Sequence, residues 1–471
     1  MALGRRESEQ QGELWVTTQE LAQPAGHVFY ERLNEVLAGA GFDAFVEDLC
    51  EPYYAAGGRP GVPPGVYFRM LLVGYFEGIE SQRGIAWRCA DSLSLRSFLG
   101  IPLTKKTPDH SSFTRIADRL PEEVYQQVFT FVLDLVDAQG LLNGQSVAVD
   151  ATLLEANAAM KSIVRKETGE DWKVYLTRLM REEGELADDE EPTDEDLRRF
   201  DKRRAKAGKK KVSNQEWESS SDQDARIVRM KDGRTRLGYK AEHVIDLQSE
   251  AILSARVQHG TAADSQTLVG AVIDAQVNLV KAGCDADIQE VTADKGYHAN
   301  ETIRECADLG LRTYIPEPES PHGRTWTDKP EDVHRAVVNN RRRTRRKKGR
   351  RLQRQRSEKV ERSFAHLCDS GGMRRCWLRG LTKINKRYSL AAAAHNLSLV
   401  MRKLFGMGQP RSLQGAIAAI CALLVTLWAR CQPPAASRTP FPLWSLALKR
   451  SQDHVLHYHR KLQIVPSSTG C

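Results

Sequence analysis

Apolar and polar positions follow two rhythms along this chain, and the first is helical. From about Val28 to Leu120, apolar residues recur every three or four positions. In PPGVYFRMLLVGYFEGI, Pro63 and Pro64 stand where a helix would start, and Tyr67, Met70, Leu71 and Gly74 fall on one side. SQRGIAWRCADSLSLRSFLGI predicts a short helix, a turn and another helix. TPDHSSFTRIADRLP offers an N-cap at Asp109 or Ser111 and lays Phe113, Ile116 and Leu120 on one face. Together these predict a compact all-α domain over about 26–121, with helix-turn-helix character.

The second rhythm belongs to strands. Val147, Ala148 and Val149 form a short apolar run that ends at Asp150, the pattern of a buried strand. It returns in ARIVRMKDGRTRLGYKAEHVIDLQSEAILSARVQHG, where Asp232-Gly233 marks a turn and the segments around Ile227, Val244 and Ile252 to Val257 predict an antiparallel meander. DSQTLVGAVIDAQVNLVKAG predicts an amphipathic helix capped by Asp264 or Ser265 and closed by Gly283. IQEVTA predicts a strand ending at Asp294, NETIRECADLG a helix, and RTYIP a short strand. Strand, meander, helix, strand, helix, strand is the order of a mixed α/β sheet with flanking helices.

Two stretches break both rhythms. Within about 161–224, residues 182–196 hold ten acids and residues 198–211 hold nine bases. So few apolar residues predict an exposed, partly helical insertion without a core of its own. From Arg341 to Arg362, thirteen Lys or Arg stand against Glu358 and Glu361, in a segment predicted to run on as one helix through Phe364 and Leu367. Neutralising phosphates releases counterions. The run therefore predicts contact with DNA phosphates through Arg341, Arg342, Arg343, Arg345, Arg346, Lys347, Lys348, Arg350 and Arg351, with Arg362 at its end.

Composition narrows this little further. A chain of 471 residues, 41% hydrophobic and 28% charged, is a globular protein of two or three domains. The net charge of +8 agrees with an anionic partner. Nine cysteines, an odd number with no C-x-x-C, predict reduced thiols in a cytoplasmic protein and argue against a disulfide framework or zinc ribbon. The N-terminus MALGRRESEQQGELW lacks the apolar core of a signal peptide. The longest apolar run, Gly415 to Ala429, is shorter than the roughly 20 residues that span a bilayer, so a buried or interfacial helix is expected. The histidines of HVLHYHR, 454–460, are too sparse a pattern to predict a metal site.

The candidate chemistry lies in the carboxylates. Neighbouring strands of a mixed sheet can bring Asp150 and Asp294 together. Two adjacent carboxylates repel unless one is protonated or a cation sits between them. Oxygen-only ligands favour Mg²⁺ or Mn²⁺, and two such ions about 3.5–4 Å apart clamp the attacking and leaving oxygens of a phosphoryl transfer. A third carboxylate would come from the basic helix. If that helix buries Val360, Phe364 and Leu367, Glu361 lies roughly 90° from the middle of the apolar face and Glu358 roughly 150°. Glu361 is then expected at the sheet edge and Glu358 among surface arginines. Taken singly, Asp150 reads as a strand-end cap and Asp294 as a turn acid beside Gly296; in order with Glu361 they read as a site. Lys295, Tyr297 and His298 follow the second aspartate as possible DNA contacts, Tyr297 equally as a packed ring. His243 and His366 read as structural.

These residues carry a family resemblance. VAVDAT at Asp150, TADKGYHANETI at Asp294 and VERSFAHL at Glu361 resemble the motifs of bacterial insertion-sequence transposases of the DDE class. GGMRRCWLRGLTKINKRYSLAAAAHNLSLVMRKL resembles the segment that follows the glutamate in them, and PGVYFRMLLVGYFEG with TPDHSSFTRI resembles their N-terminal domain. The resemblance covers roughly 30–407. It implies an RNase H-like catalytic domain over 122–407, interrupted by the charged insertion, between a flexible N-terminus (1–25) with its helical DNA-binding domain and a tail (408–471). It also implies that Asp150, Asp294 and Glu361 hold two Mg²⁺ or Mn²⁺ ions, that Lys295 and the basic run contact double-stranded DNA, and that a nucleoid-associated homodimer pairs two element ends. The competing classes are a metal nuclease that cuts without joining and a non-catalytic DNA-binding protein.

Overall fold

The computed structural model describes residues 26–410, apart from 56, 59–60, 188, 207–212, 320–325 and 327–328. The apolar run at 415–429, the histidines of 454–460 and the segment 1–25 lie outside the described residues. The described residues belong to one compact unit. Among them no helix is long and apolar enough to cross a membrane, and the six cysteines are free and buried.

The described residues begin with seven α-helices: α1 (Val28–Gly39), α2 (Phe42–Cys50), α3 (Pro64–Glu77), α4 (Gln82–Asp91), α5 (Leu93–Phe98), α6 (His110–Arg119) and α7 (Glu122–Ala138). Pro63 stands at the N-cap of α3, and Asp109 caps α6 by accepting the Ser111 N–H at 2.9 Å. Phe113, Ile116 and Leu120 are buried as their spacing predicts. Helix α7 has no counterpart in the reading above. Its signal was present, with Val124, Val128, Val132 and Val136 at i, i+4 spacing behind Glu122 and Glu123 in the first turn.

Strands follow: β1 (Ser146–Glu155), β2 (Ile163–Arg165), β3 (Trp217–Ser219), β4 (Arg226–Arg229), β5 (Thr235–Asp246), β6 (Ile252–His259), β7 (Glu290–Thr292) and β8 (Arg312–Tyr314), with β2 and β3 paired in a small sheet of their own. Helices α8 (Trp172–Glu182) and α9 (Asp194–Lys206) fall between β2 and β3, α10 (Asp264–Lys281) before β7, and α11 (Asn300–Asp308) before β8. The main sheet has the order β4-β5-β1-β7-β8, with β6 also paired to β5. The meander β4, β5, β6 is antiparallel as predicted, and its Asp232-Gly233 turn uses Gly233 at φ 77°. Strands β7 and β8 run parallel to β1 and to each other.

Two details of the reading are corrected. Strand β1 does not end at Asp150 but continues to Glu155, because β5 pairs with it all the way to Glu155↔Gly238. Helix α10 is capped by Ala263, with Asp264 and Ser265 inside the first turn, and the Asp264 carboxylate is drawn to the buried Lys240 ammonium at 2.5 Å.

The charged insertion also departs from expectation, because it has a small core. Leu176 and Met180 of α8 meet Leu197 and Phe200 of α9, with Trp172, Tyr175, Leu179 and Leu186 around them. The count of apolar residues was low, but i, i+3 and i, i+4 spacing gathers them on facing stripes. Its acids pair with nearby bases, Glu182 with Arg178, Glu185 with Arg203, Asp194 with Lys173 and Glu195 with Arg199.

The basic run forms two helices instead of one, α12 (Glu331–Arg345) and α13 (Lys347–Phe364), joined at Arg346 in extended conformation (ψ 163°). Gly349 permits the sharp corner, since a Cβ there would stand 2.4 Å from Arg343 O and 2.7 Å from Thr344 O. A wider π-type turn over Ala365–Ser370 ends α13.

The last helix among the described residues, α14 (Leu381–Phe405), closes the free edge of β6. Asn385 exchanges two hydrogen bonds with the backbone of Val257, and Asn396 does the same with Ile252. Eleven helical residues rise about 16.5 Å over three turns, and five strand residues span about the same length. An α-helix lying antiparallel to a strand thus aligns both amides with one edge. Asn396→Ala would orphan a buried N–H and a buried C=O at about 1–3 kcal/mol each. Urea unfolding is expected to show a loss of about 2–6 kcal/mol, and Asn385→Ala a similar one.

Candidate active site

The parallel register of β1 and β7 decides the geometry of the two aspartates. Val147 pairs with Val291 and Ala148 with Thr292, where the β7 ladder stops. Asp150 and Asp294 each lie two residues further on, so they come side by side as the strands part. Beyond Thr292 the chain enters a tight turn over Lys295–Tyr297, and Asp294 Oδ1 accepts the Gly296 N–H at 2.8 Å. Gly296 has little room for a side chain, because a Cβ would lie 2.8 Å from Asp264 Oδ2. Tyr297 is the packed ring: it is fully buried, and its hydroxyl donates to the buried Glu242 carboxylate at 2.8 Å, as Thr267 does at 2.6 Å. Lys295 is exposed beside the site.

Asp150 is three-quarters buried and carries two hydrogen bonds. Oδ1 accepts the Ala151 N–H at 2.8 Å, and Oδ2 takes Arg356 Nη1 at 2.6 Å. Burial pushes its pKa up; the Arg356 guanidinium opposes that, and the negative charge of Asp294 adds to it. A carboxylate inside a sheet is costly without a partner. In this structure the partner is an arginine from α13.

Helix α13 lies across the sheet on Gln353, Arg356, Val360, Ser363 and Phe364. Gln353 donates to the carbonyls of Ala293 (3.0 Å) and Tyr314 (2.5 Å), gripping the strand ends beside Asp294. Ser363 and Phe364 cover His243, the cross-strand neighbour of Asp150. The Ser363 hydroxyl meets Nδ1 at 2.9 Å, Tyr388 meets Nε2 at 2.8 Å, and the Phe364 ring stacks at 4.0 Å. Burial holds the His243 pKa well below its ordinary value, so this histidine is a neutral structural group. The structural reading of His243 therefore holds.

Glu361 is one residue past Val360, about 100° around the helix, and it is exposed, with the Ser357 hydroxyl 3.5 Å from its carboxylate. Glu358 points away, 62% exposed, and pairs with Arg362 at 2.6 Å. The structure thus brings Asp150 and Asp294 together but not Glu361 with them. Among the described residues no group of three His, Cys, Asp or Glu is arranged to hold a metal ion. The two aspartates offer the oxygen donors a hard divalent ion prefers, while Arg356 already occupies one of them.

The predicted phosphate contacts divide into two sets. Arg342, Arg345, Arg346, Lys347, Arg350 and Arg351 are exposed at the α12–α13 corner. The others have work within the fold. Arg341 pairs with Glu317 at 3.0 Å, Lys348 with Glu290 at 2.5 Å, and Arg362 with Glu250 and Glu358. Arg343 donates to Thr313 O at 3.1 Å, and burial lowers its pKa.

Arg356 and Gln353 were not singled out by sequence reasoning. The signal existed, because extending the Val360 face back by four and seven residues reaches both.

Residues 18–119 match a transposase domain (DUF772), and residues 313–401 match a transposase DDE domain. Together the two matches indicate an insertion-sequence transposase of the DDE class. No curated protein and no solved structure gives a match. In this transposase the first match spans α1–α6. The second runs from β8 into α14, so it includes Glu361 and both edge-closing asparagines but neither aspartate.

Proposed function

We propose that the protein binds the ends of its own insertion sequence and catalyses DNA strand cleavage and strand transfer on an RNase H-like sheet. The observation that carries this reading is the pair Asp150 and Asp294, side by side on adjacent central strands in a chain with two transposase domains. Asp150, Asp294 and Glu361 would hold two Mg²⁺ or Mn²⁺ ions, whose Lewis acidity activates a water or a 3′-hydroxyl and stabilises the leaving oxygen. The chain's own residues do the positioning. The β1–β7 register sets the spacing of the aspartates, and the Gly296 N–H orients the Asp294 carboxylate. Holding an ion there would require Arg356 to release Asp150 Oδ2, its partner in this structure, and Glu361 to come closer to the pair than it stands here. Sequence recognition of the ends is assigned to the helical region 26–121 and phosphate binding to the α12–α13 corner. Pairing two ends calls for two active sites, hence a homodimer on DNA acting at the bacterial nucleoid.

End-labelled DNA carrying the element's termini tests the reading. Cleaved and joined products are expected in Mg²⁺ and in Mn²⁺, and neither in Ca²⁺, which does not reproduce the tight octahedral geometry. Cleavage without joining would leave a nuclease. Undiminished cleavage in excess chelator would remove the metal mechanism.

A further inference from the structure

A cavity of about 220 Å³ lies between the N-terminal helices and the segment 373–388. Its walls are apolar and aromatic, formed by Tyr67, Leu71, Tyr125, Ile384 and Tyr388. Trp377 stands among the lining residues with 45% of its surface exposed, and the Arg375 guanidinium lies over its ring at 5.1 Å. An apolar cavity of about 150 Å³ accommodates one benzene ring, so this one has room for a nucleobase.

The charge of the cavity is unbalanced. Arg375, Lys383, Lys386 and Arg387 line it against one acid, Glu80, whose carboxylate accepts the Trp377 indole N–H at 2.5 Å. Lys383 pairs with Asp118 outside. Arg387 Nη1 is buried with no hydrogen-bond partner. Burial lowers this guanidinium's pKa to about 10, so it remains a cation at neutral pH. A buried, unpaired donor on a cation is expensive, and an anion's oxygen would satisfy it.

The cavity is also tied to the catalytic strand. Cys376 N–H donates to Glu155 O at 2.7 Å, and Asn157 donates to Trp377 O at 3.0 Å. Glu155 is five residues beyond Asp150 on β1, about 17 Å away along the strand.

We propose that this cavity takes one unstacked nucleotide of a DNA strand, its base between the aromatic walls and its phosphate against Arg375 and Arg387. Aromatic stacking with cations beside it suits single-stranded nucleic acid; a purely apolar ligand would leave the Arg387 nitrogen unsatisfied. The proposal rests on the reading above only for DNA as the source of the nucleotide, and its test needs no cleavage.

The full-length protein is titrated, in chelator, with a labelled five-nucleotide oligothymidylate and with the same strand made abasic at its centre. The intact strand is expected to bind about tenfold tighter, within the range for stacking one base. Trp377→Ala and Ala117→Phe, the latter filling the cavity, are expected to bind both strands alike. Arg345→Gln is expected to weaken both strands and keep the ratio. Equal binding of the two strands by the unmodified protein would overturn the proposal. So would a ratio that survives in both cavity variants while their thermal melts match the parent. Failure of cleavage in the metal assay would leave this result standing, and the reverse holds as well.

Discussion

Asp150→Asn and Asp294→Asn are each expected to lower DNA cleavage by about 10³-fold or more, with DNA affinity close to unchanged. Lewis-acid stabilisation at a phosphoryl group is worth several kcal/mol, and each 1.4 kcal/mol is about tenfold in rate. Asparagine keeps the shape at both positions, though its single acceptor oxygen at 150 serves only one of Ala151 N–H and Arg356, so a thermal melt matching the parent is the check that a loss of rate is not a loss of fold. Glu361→Ala is expected to be as inactive, and Glu358→Ala to retain most activity. The contrast between the glutamates tests the geometry of α13 most sharply. Glu358 sits opposite the sheet-facing stripe and holds Arg362 at the surface. Glu361 is nearer that stripe, but exposed and apart from the aspartates. An active Glu361→Ala together with an inactive Glu358→Ala would reverse the assignment.

The second large effect is expected at the α12–α13 corner. Replacing Arg342, Arg345, Arg346, Arg350 and Arg351 with glutamine should weaken binding to all DNA sequences about equally, since phosphate contacts carry no base information. Each lost contact flattens the slope of log K against log salt by about 0.9, or about 4–5 for the set. Arg343 and Lys348 are left in place because Thr313 and Glu290 use them. A solvated linker predicts an unchanged slope. Pairing in cis with the acids of 182–196 predicts tighter binding once those acids are neutralised. Four of the ten acids, Glu182, Glu185, Asp194 and Glu195, already have partners within the insertion in Arg178, Arg203, Lys173 and Arg199, so little tightening is expected.

Local features of this fold were legible in the sequence. Asp109 as a cap, Asp232-Gly233 as a turn and the antiparallel meander of β4 to β6 depend on neighbours close in the chain. The aspartate pair was legible too, because two apolar runs ending in acids left few other arrangements. What was missed depended on distance or on phase. The Arg356–Asp150 contact joins residues 206 apart, and one basic residue among thirteen carries no mark of its target. The break at Arg346 hides in a run of strong helix formers, where Gly349 alone betrays the corner. The core of the insertion was lost by counting apolar residues instead of asking where around a helix they fall.

The asparagine seal on β6 has a consequence in time. Its halves are made far apart, since Val257 and Asn385 are separated by 128 residues and Ile252 and Asn396 by 144. A ribosome adding about 5–20 residues per second needs roughly 6–30 seconds to cover that interval. Throughout it, the nascent meander displays an unpaired row of backbone donors and acceptors, the template on which chains aggregate. The same interval contains the charged α12 and α13, which arrive before the seal and keep neighbouring nascent chains apart by like charge. A chain ending before Asn385 would hold that edge open permanently, and its accumulation as insoluble protein would follow from two missing amides rather than from any defect in the catalytic strands.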